Sequence, residues 1–274
     1  MKLQALYDMP PWDWPEDAGK MFQDILADRE AVPAERMLAA EMAGEMTVVD
    51  GLAGTLLKVV TDNHEPAELR ARAAIALGPA LEHADTQGFD DSDDIVLSEE
   101  LFRHIRESFQ KSYHDPDVPK ETRRRILEAS IRAPLPWHQT AIEAAAASGD
   151  REWLLTAVFC MRFVGGFEPR ILEALQSEDP DIRYEAVVAA GNWEIKEAWP
   201  DIADLLATAK EDDPLLFAAI EAAANLGLSE AIEPLEELLL DCEDDDLIDA
   251  IHESLAMLGA DDFIDDDYDE EEDD

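Results

Sequence analysis

A chain of 274 residues that is 47% apolar holds enough material for a large core, so its charge does not make it a disordered chain. That charge is extreme: 66 Asp and Glu against 21 Lys and Arg give −45, a balance that repels nucleic-acid phosphate and anionic lipid and favours encounter with basic proteins. No apolar run approaches the ~18 residues of a membrane span, and the opening MKLQALYDMPPWDWPED has no signal-type apolar segment, so a cytoplasmic location is expected.

Residues 1–49 are expected to form an N-terminal helical cap. The segment DMPPWDWPEDAGKMF is too rich in proline and tryptophan for a regular repeat, and Trp12 and Trp14 are expected to cover apolar surface at the end of a stack. Helix pairs then follow at about 50–61 and 66–81, 98–112 and 119–132, and 137–148 and 150–164, the first two pairs separated by DTQGFDDSDD, a surface loop or short disordered insertion. Between Arg103 and Arg132 lies a basic island of eight Lys or Arg with five acids, including Arg123, Arg124 and Arg125. Ion pairs with flanking repeats, or reception of the acidic tail, fit it better than phosphate binding. Cys160 in an apolar run and Cys242 by an acidic turn suggest neither a disulfide framework nor a zinc site.

From Pro136 onward the pattern becomes regular. Pro136, Pro169, Pro200 and Pro234 stand where helices open, a position at which the missing N–H costs nothing. Apolar residues follow at spacings of three and four, as in Ile202, Leu205 and Leu206. Acidic turns at 177–181, 211–213 and 243–246 offer Asp caps for second helices, and Gly165, Gly191, Gly227 and Gly259 are expected to end them in the left-handed conformation. The phrase DPDIRYEAVVAAG returns as DPLLFAAIEAAANLG and DDLIDAIHESLAMLG. Recurrence at this period means units that bury their apolar faces only by stacking on neighbours. Eleven of the last 14 residues, 261–274, are acidic, and a solvated disordered tail is expected there.

In AELRARAAIALG and PDIRYEAVVAAG an apolar-Arg pair precedes an Ala-rich helix, with Arg70 and Arg183 eight residues before their glycines. These units resemble HEAT repeats, and among them the variant of phycobilin-lyase-type bacterial proteins; the two later units depart by placing Ala219 and Ile251 at the arginine's position. The resemblance covers about 50–260 and implies an all-α, right-handed α-solenoid of about six HEAT-like helix pairs. It leaves activity open, because scaffolds, lyases and a few hydrolases share the fold.

Deoxyhypusine hydroxylases look similar and hold two irons through repeated His-Glu pairs, whereas only His252-Glu253 stands in that register here, and His64-Glu65 falls at a turn. No G-x-S-x-G, P-loop or Rossmann fingerprint occurs, so the expectation is a non-enzyme with no cofactor and no metal. What does recur is a carboxylate: Glu185, Glu221 and Glu253 occupy equivalent places on consecutive second helices, joined by Tyr184 and His252. In HEAT-type stacks such helices resemble the lining of a groove. The expected function is therefore a cytoplasmic scaffold that takes a basic protein segment on this surface, with no direct nucleic-acid and no membrane contact. A chromophore lyase or related modifying enzyme, and a DNA-mimicking regulator, are the alternative readings.

Overall fold

The computed structural model describes residues 3–45, 49–89, 97–208, 210 and 214–260, so the tail 261–274, the turn 211–213 and half of the expected 85–94 loop, 90–94, lie outside the described residues, while Asp85–Gln87 are helical rather than loop. Among the described residues the structure is helical with no strand, and the chain divides into two compact units, 1–144 and 145–274. No described helix is long and apolar enough to cross a membrane.

Unit 1 opens with the short α1 (Leu3–Tyr7), then α2 (Ala18–Ala27), α3 (Pro33–Ala43), α4 (Asp50–Thr61), α5 (Ala67–Ala76), α6 (Gly78–Gln87), α7 (Glu99–His114) and α8 (Lys120–Ser130). Three antiparallel pairs, α2–α3, α4–α5 and α7–α8, stack in single file, second helices α3, α5 and α8 packing in sequence and first helices α2, α4 and α7 likewise. Phe22, Leu26, Leu56, Ile105, Phe109 and Ile126 are fully buried between them. The 66–81 segment is two helices rather than one, because Pro79 has no N–H to continue α5 and starts α6 instead. Trp14 behaves as expected: its Nε1–H donates to the Leu6 and Met9 carbonyls at 3.0 Å and its ring meets Phe22 edge-on. Trp12 does not; it is 83% exposed.

The pair α2–α3 lies inside 1–49, yet it is built like a repeat. Arg36 stands eight residues before Gly44, the spacing of Arg70–Gly78 and Arg183–Gly191. Its guanidinium donates to the Leu26 carbonyl at the end of α2 (2.9 Å), and Arg70 donates to the Val60 carbonyl at the end of α4 (2.8 Å). Each arginine thus satisfies an orphan carbonyl at the C-terminus of its partner helix and complements its dipole.

In the chain order α9 (Pro136–Ala146) spans the division between the units. Unit 2 contains α10 (Arg151–Met161), α11 (Glu168–Leu175), α12 (Pro180–Asn192), α13 (Trp199–Thr208), α14 (Pro214–Leu226), α15 (Ile232–Asp241) and α16 (Asp245–Met257). The pairs α11–α12, α13–α14 and α15–α16 stack so that α10, α12, α14 and α16 run side by side. Asp150, Asp179 and Asp244 cap α10, α12 and α16 by accepting backbone N–H bonds, each an interaction worth about 1 kcal/mol. Both units are all-α solenoids in the expected class.

The glycines divide in role. Gly227 and Gly259 take left-handed φ values of 63° and 76°, as expected. Gly191 does not: it lies within α12, and the left-handed residue is Glu194 (φ 51°), after which the Ile195 N–H bonds the Ala190 carbonyl at 3.0 Å. Gly165 also departs from the expectation, the positive φ falling on Gly166. What Gly191 provides is close approach, since a Cβ there would stand 2.9 Å from Ala222 Cα. Gly191→Ala is therefore expected to destabilise unit 2 by about 1–3 kcal/mol through overpacking. Gly54→Ala, where a Cβ meets nothing within 4 Å in α4, should instead stabilise by about 0.5–1 kcal/mol. Urea midpoints of the two variants against the parent check both signs.

Candidate functional site

The contact of Gly191 with Ala222 and Asn225 fixes the register of α12 against α14, and the Ser254 Oγ–H donating to the Ile220 carbonyl (3.4 Å) fixes that of α16. Helical periodicity then leaves one outward stripe on each helix. On α12 it carries Asp181 and Tyr184; on α14, otherwise almost wholly apolar, it carries Phe217, Glu221 and Asn225 at spacings of four; on α16 it carries Asp249, His252 and Glu253. Tyr184 is 36% and Phe217 40% exposed, large rings left in water where Ala or Lys would be cheaper. Phe217 was not among the sequence-predicted residues, although its place four residues before Glu221 on that stripe makes it readable.

The carboxylates are not equivalent. Glu185 is half-buried and bound by Arg162, the residue that follows α10, Nη1 lying 3.0 Å from the carboxylate. The same guanidinium lies over the Phe159 and Phe163 rings, 5.3 and 5.9 Å from their centroids, a cation–π arrangement. Glu185 is thus a neutralised brace between α10 and α12. Glu221, His252 and Glu253 are exposed, and none of Glu221, Asp249 and Glu253 has an ion-pair partner among the described residues. The reason lies in the sequence: 211–260 contains 15 Asp and Glu and no Lys or Arg. At the start of the face the balance differs, since Arg151 binds both Asp179 and Asp181 and holds the Asp179 carboxyl below its usual range.

Other clusters are structural. Glu65, of the His64-Glu65 pair, has its carboxylate clasped by Arg36 at 2.7 and 2.8 Å. In the basic island Arg103 binds Glu99, Arg125 binds Glu121 and Glu128, and Arg132 binds Glu82. A groove of about 510 Å³ beside α7 is lined by Phe89, Phe102, Arg103 and Arg106, whose cations already face Glu99 and Asp85. Among the described residues no three His, Cys, Asp or Glu side chains converge as metal ligands. His138 is buried, its Nδ1 accepting the Leu135 N–H at 2.8 Å and its Nε2 2.9 Å from Ser130 Oγ. Burial, with a smaller push from Arg106, lowers its pKa to about 4 and keeps the ring neutral.

Residues 168–256 match the family model for HEAT repeats. No curated protein matches the sequence. Among solved structures the fold is similar to YibA of Escherichia coli, 16% identical over 91% of this chain and 84% of that one, with a TM-score of 0.50. Human deoxyhypusine hydroxylase in complex with glycerol is 17% identical over 95% of this chain and 92% of its own, with a TM-score of 0.41. A designed armadillo repeat protein is 15% identical over 87% and 98%, with a TM-score of 0.34.

Proposed function

We propose that this HEAT-repeat protein is a non-enzymatic cytoplasmic scaffold that takes a basic segment of a protein partner on the second-helix face of unit 2. The observation that carries this reading is the uncompensated charge of that face. Glu221 and Glu253 project from consecutive second helices in a stretch that contains no Lys or Arg to neutralise them. Rim carboxylates of this kind raise the rate of encounter with a cationic segment and select it over acidic competitors. Tyr184 and His252 add contact surface, and Glu185, held by Arg162, fixes the edge of the face.

A fluorescent lysine-rich peptide is expected to bind the full chain with an affinity that falls steeply as salt rises from about 50 to about 300 mM, as screening requires. The double variant Glu221→Lys/Glu253→Lys should weaken binding roughly tenfold, about 1.4 kcal/mol. Binding by that variant with parental affinity would remove this face from the reading, since the rest of the acidic chain would then account for the attraction.

A further inference from the structure

The face already contains one cation held by rings and a carboxylate. On its first two helices the rings of Phe159 and Phe163 and the carboxylate of Glu185 enclose a guanidinium, that of the chain's own Arg162. One helix further along, the same ingredients recur without the cation. Tyr184 on α12 lies seven residues before Gly191, and Phe217 on α14 lies five before Ala222, which Gly191 approaches, so Phe217 stands about 3 Å further along its helix than Tyr184 does on the adjacent one. Glu221 follows Phe217 by one turn on the same stripe. Neither Tyr184 nor Phe217 has a ring, cation or hydrogen-bond partner among the described residues, and both are more than a third exposed.

We infer that Tyr184, Phe217 and Glu221 form a seat for an arginine side chain of the partner's basic segment, equivalent to the one that Arg162 fills from within. The inference rests on the scaffold reading above and adds the identity of the residue recognised. Arginine is preferred to lysine there for a physical reason. A guanidinium is planar and weakly hydrated, so it lies on a ring and still offers N–H donors in its plane to a carboxylate. An ammonium keeps its hydration shell and interacts as a point charge. The charge that surrounds the seat fits the same occupant, since Asp249 and Glu253 on α16 lack cations as well.

The test compares two fluorescent peptides of equal length and charge, one arginine-rich and one lysine-rich, on the full chain and on its Tyr184→Ala/Phe217→Ala variant. Each ring is still more than half buried, so the variant is expected to keep its helical circular dichroism but to melt a few degrees lower, and binding is measured well below that melting temperature. The parent is expected to bind the arginine peptide about five-fold more tightly than the lysine peptide, and the variant to bind both alike, with the lysine affinity within about two-fold of the parent's. Equal affinities in the parent, or an arginine preference that survives in the variant, overturn the inference. The scaffold reading is separable: it stands if Glu221→Lys/Glu253→Lys weakens both peptides, and it falls with the inference if that variant binds both as the parent does.

Discussion

Arg36→Ala is expected to lower the stability of unit 1 by about 3–5 kcal/mol, the scale found when one member of a buried ion pair is removed and the other is left behind. Arg36 is 6% exposed, and its guanidinium donates two parallel bonds to Glu65 and a third to the Leu26 carbonyl. Alanine would leave the Glu65 carboxylate, itself only 9% exposed, with the more distant Arg29 (3.9 Å) as its remaining cation, and the end of α2 without its donor. Urea denaturation followed by tryptophan fluorescence measures the loss, and a change below about 1 kcal/mol would mean that water reaches the carboxylate easily. Arg36→Met with Glu65→Met should recover most of the loss, because an apolar pair of similar volume removes both charges together. The pH response follows the same bond. Arg36 holds the Glu65 carboxyl below its usual range, so this pair contributes stability at neutral pH that disappears as pH falls through the lowered folded value. The variant should lack that component.

Acidification should also reveal His138. Its folded pKa of about 4 lies below the unfolded value near 6.5, so between those limits the unfolded chain binds more protons than the native one. Stability must therefore fall as pH drops through this window, by about 2–3 kcal/mol at pH 4.5 and about 3 below pH 4. Protonation would also take from Nδ1 the lone pair that receives the Leu135 N–H at the start of α9. His138→Gln keeps an acceptor and does not titrate. Its unfolding free energy should be lower than the parent's at pH 7 but should lose about 2–3 kcal/mol less between pH 7 and 4.5. Parallel pH profiles for the two proteins would show that the imidazole is not the titrating group.

Much of the architecture is legible in the chain because its cause is local. Proline at a first turn, apolar residues at three and four, and Asp before a second helix each act within one helix, and Pro169, Asp179 and Asp244 stand where those rules put them. What the sequence concealed depends on neighbours. Gly191 looks like a helix terminator, yet its role is set by Ala222 on the next helix. The pair α2–α3 was hidden by the proline and tryptophan segment before it, although Arg36 and Gly44 carried the repeat's spacing in full view. For the candidate face the stripe of Tyr184, Glu221, His252 and Glu253 follows from periodicity alone. The pairing of Glu185 with Arg162 does not, because it joins residues 23 apart through packing. Phe217 is hidden because one aromatic in an apolar helix reads as core; only its stripe shows otherwise.

The pair α15–α16 has ten carboxylates within 232–257 and no lysine or arginine, and α16 packs only on α14 and α15 among its principal neighbours. In a stack whose stability is a sum of nearest-neighbour terms, this hairpin, the last among the described residues, carries mutual repulsion that no Lys or Arg within 211–260 relieves. Its stability is therefore expected to rise with ionic strength, as screening weakens that repulsion. Cations that settle on it do two things at once: they occupy the surface and they tighten the hairpin. By linkage, a cationic ligand bound there is expected to stabilise the α15–α16 pair as it binds.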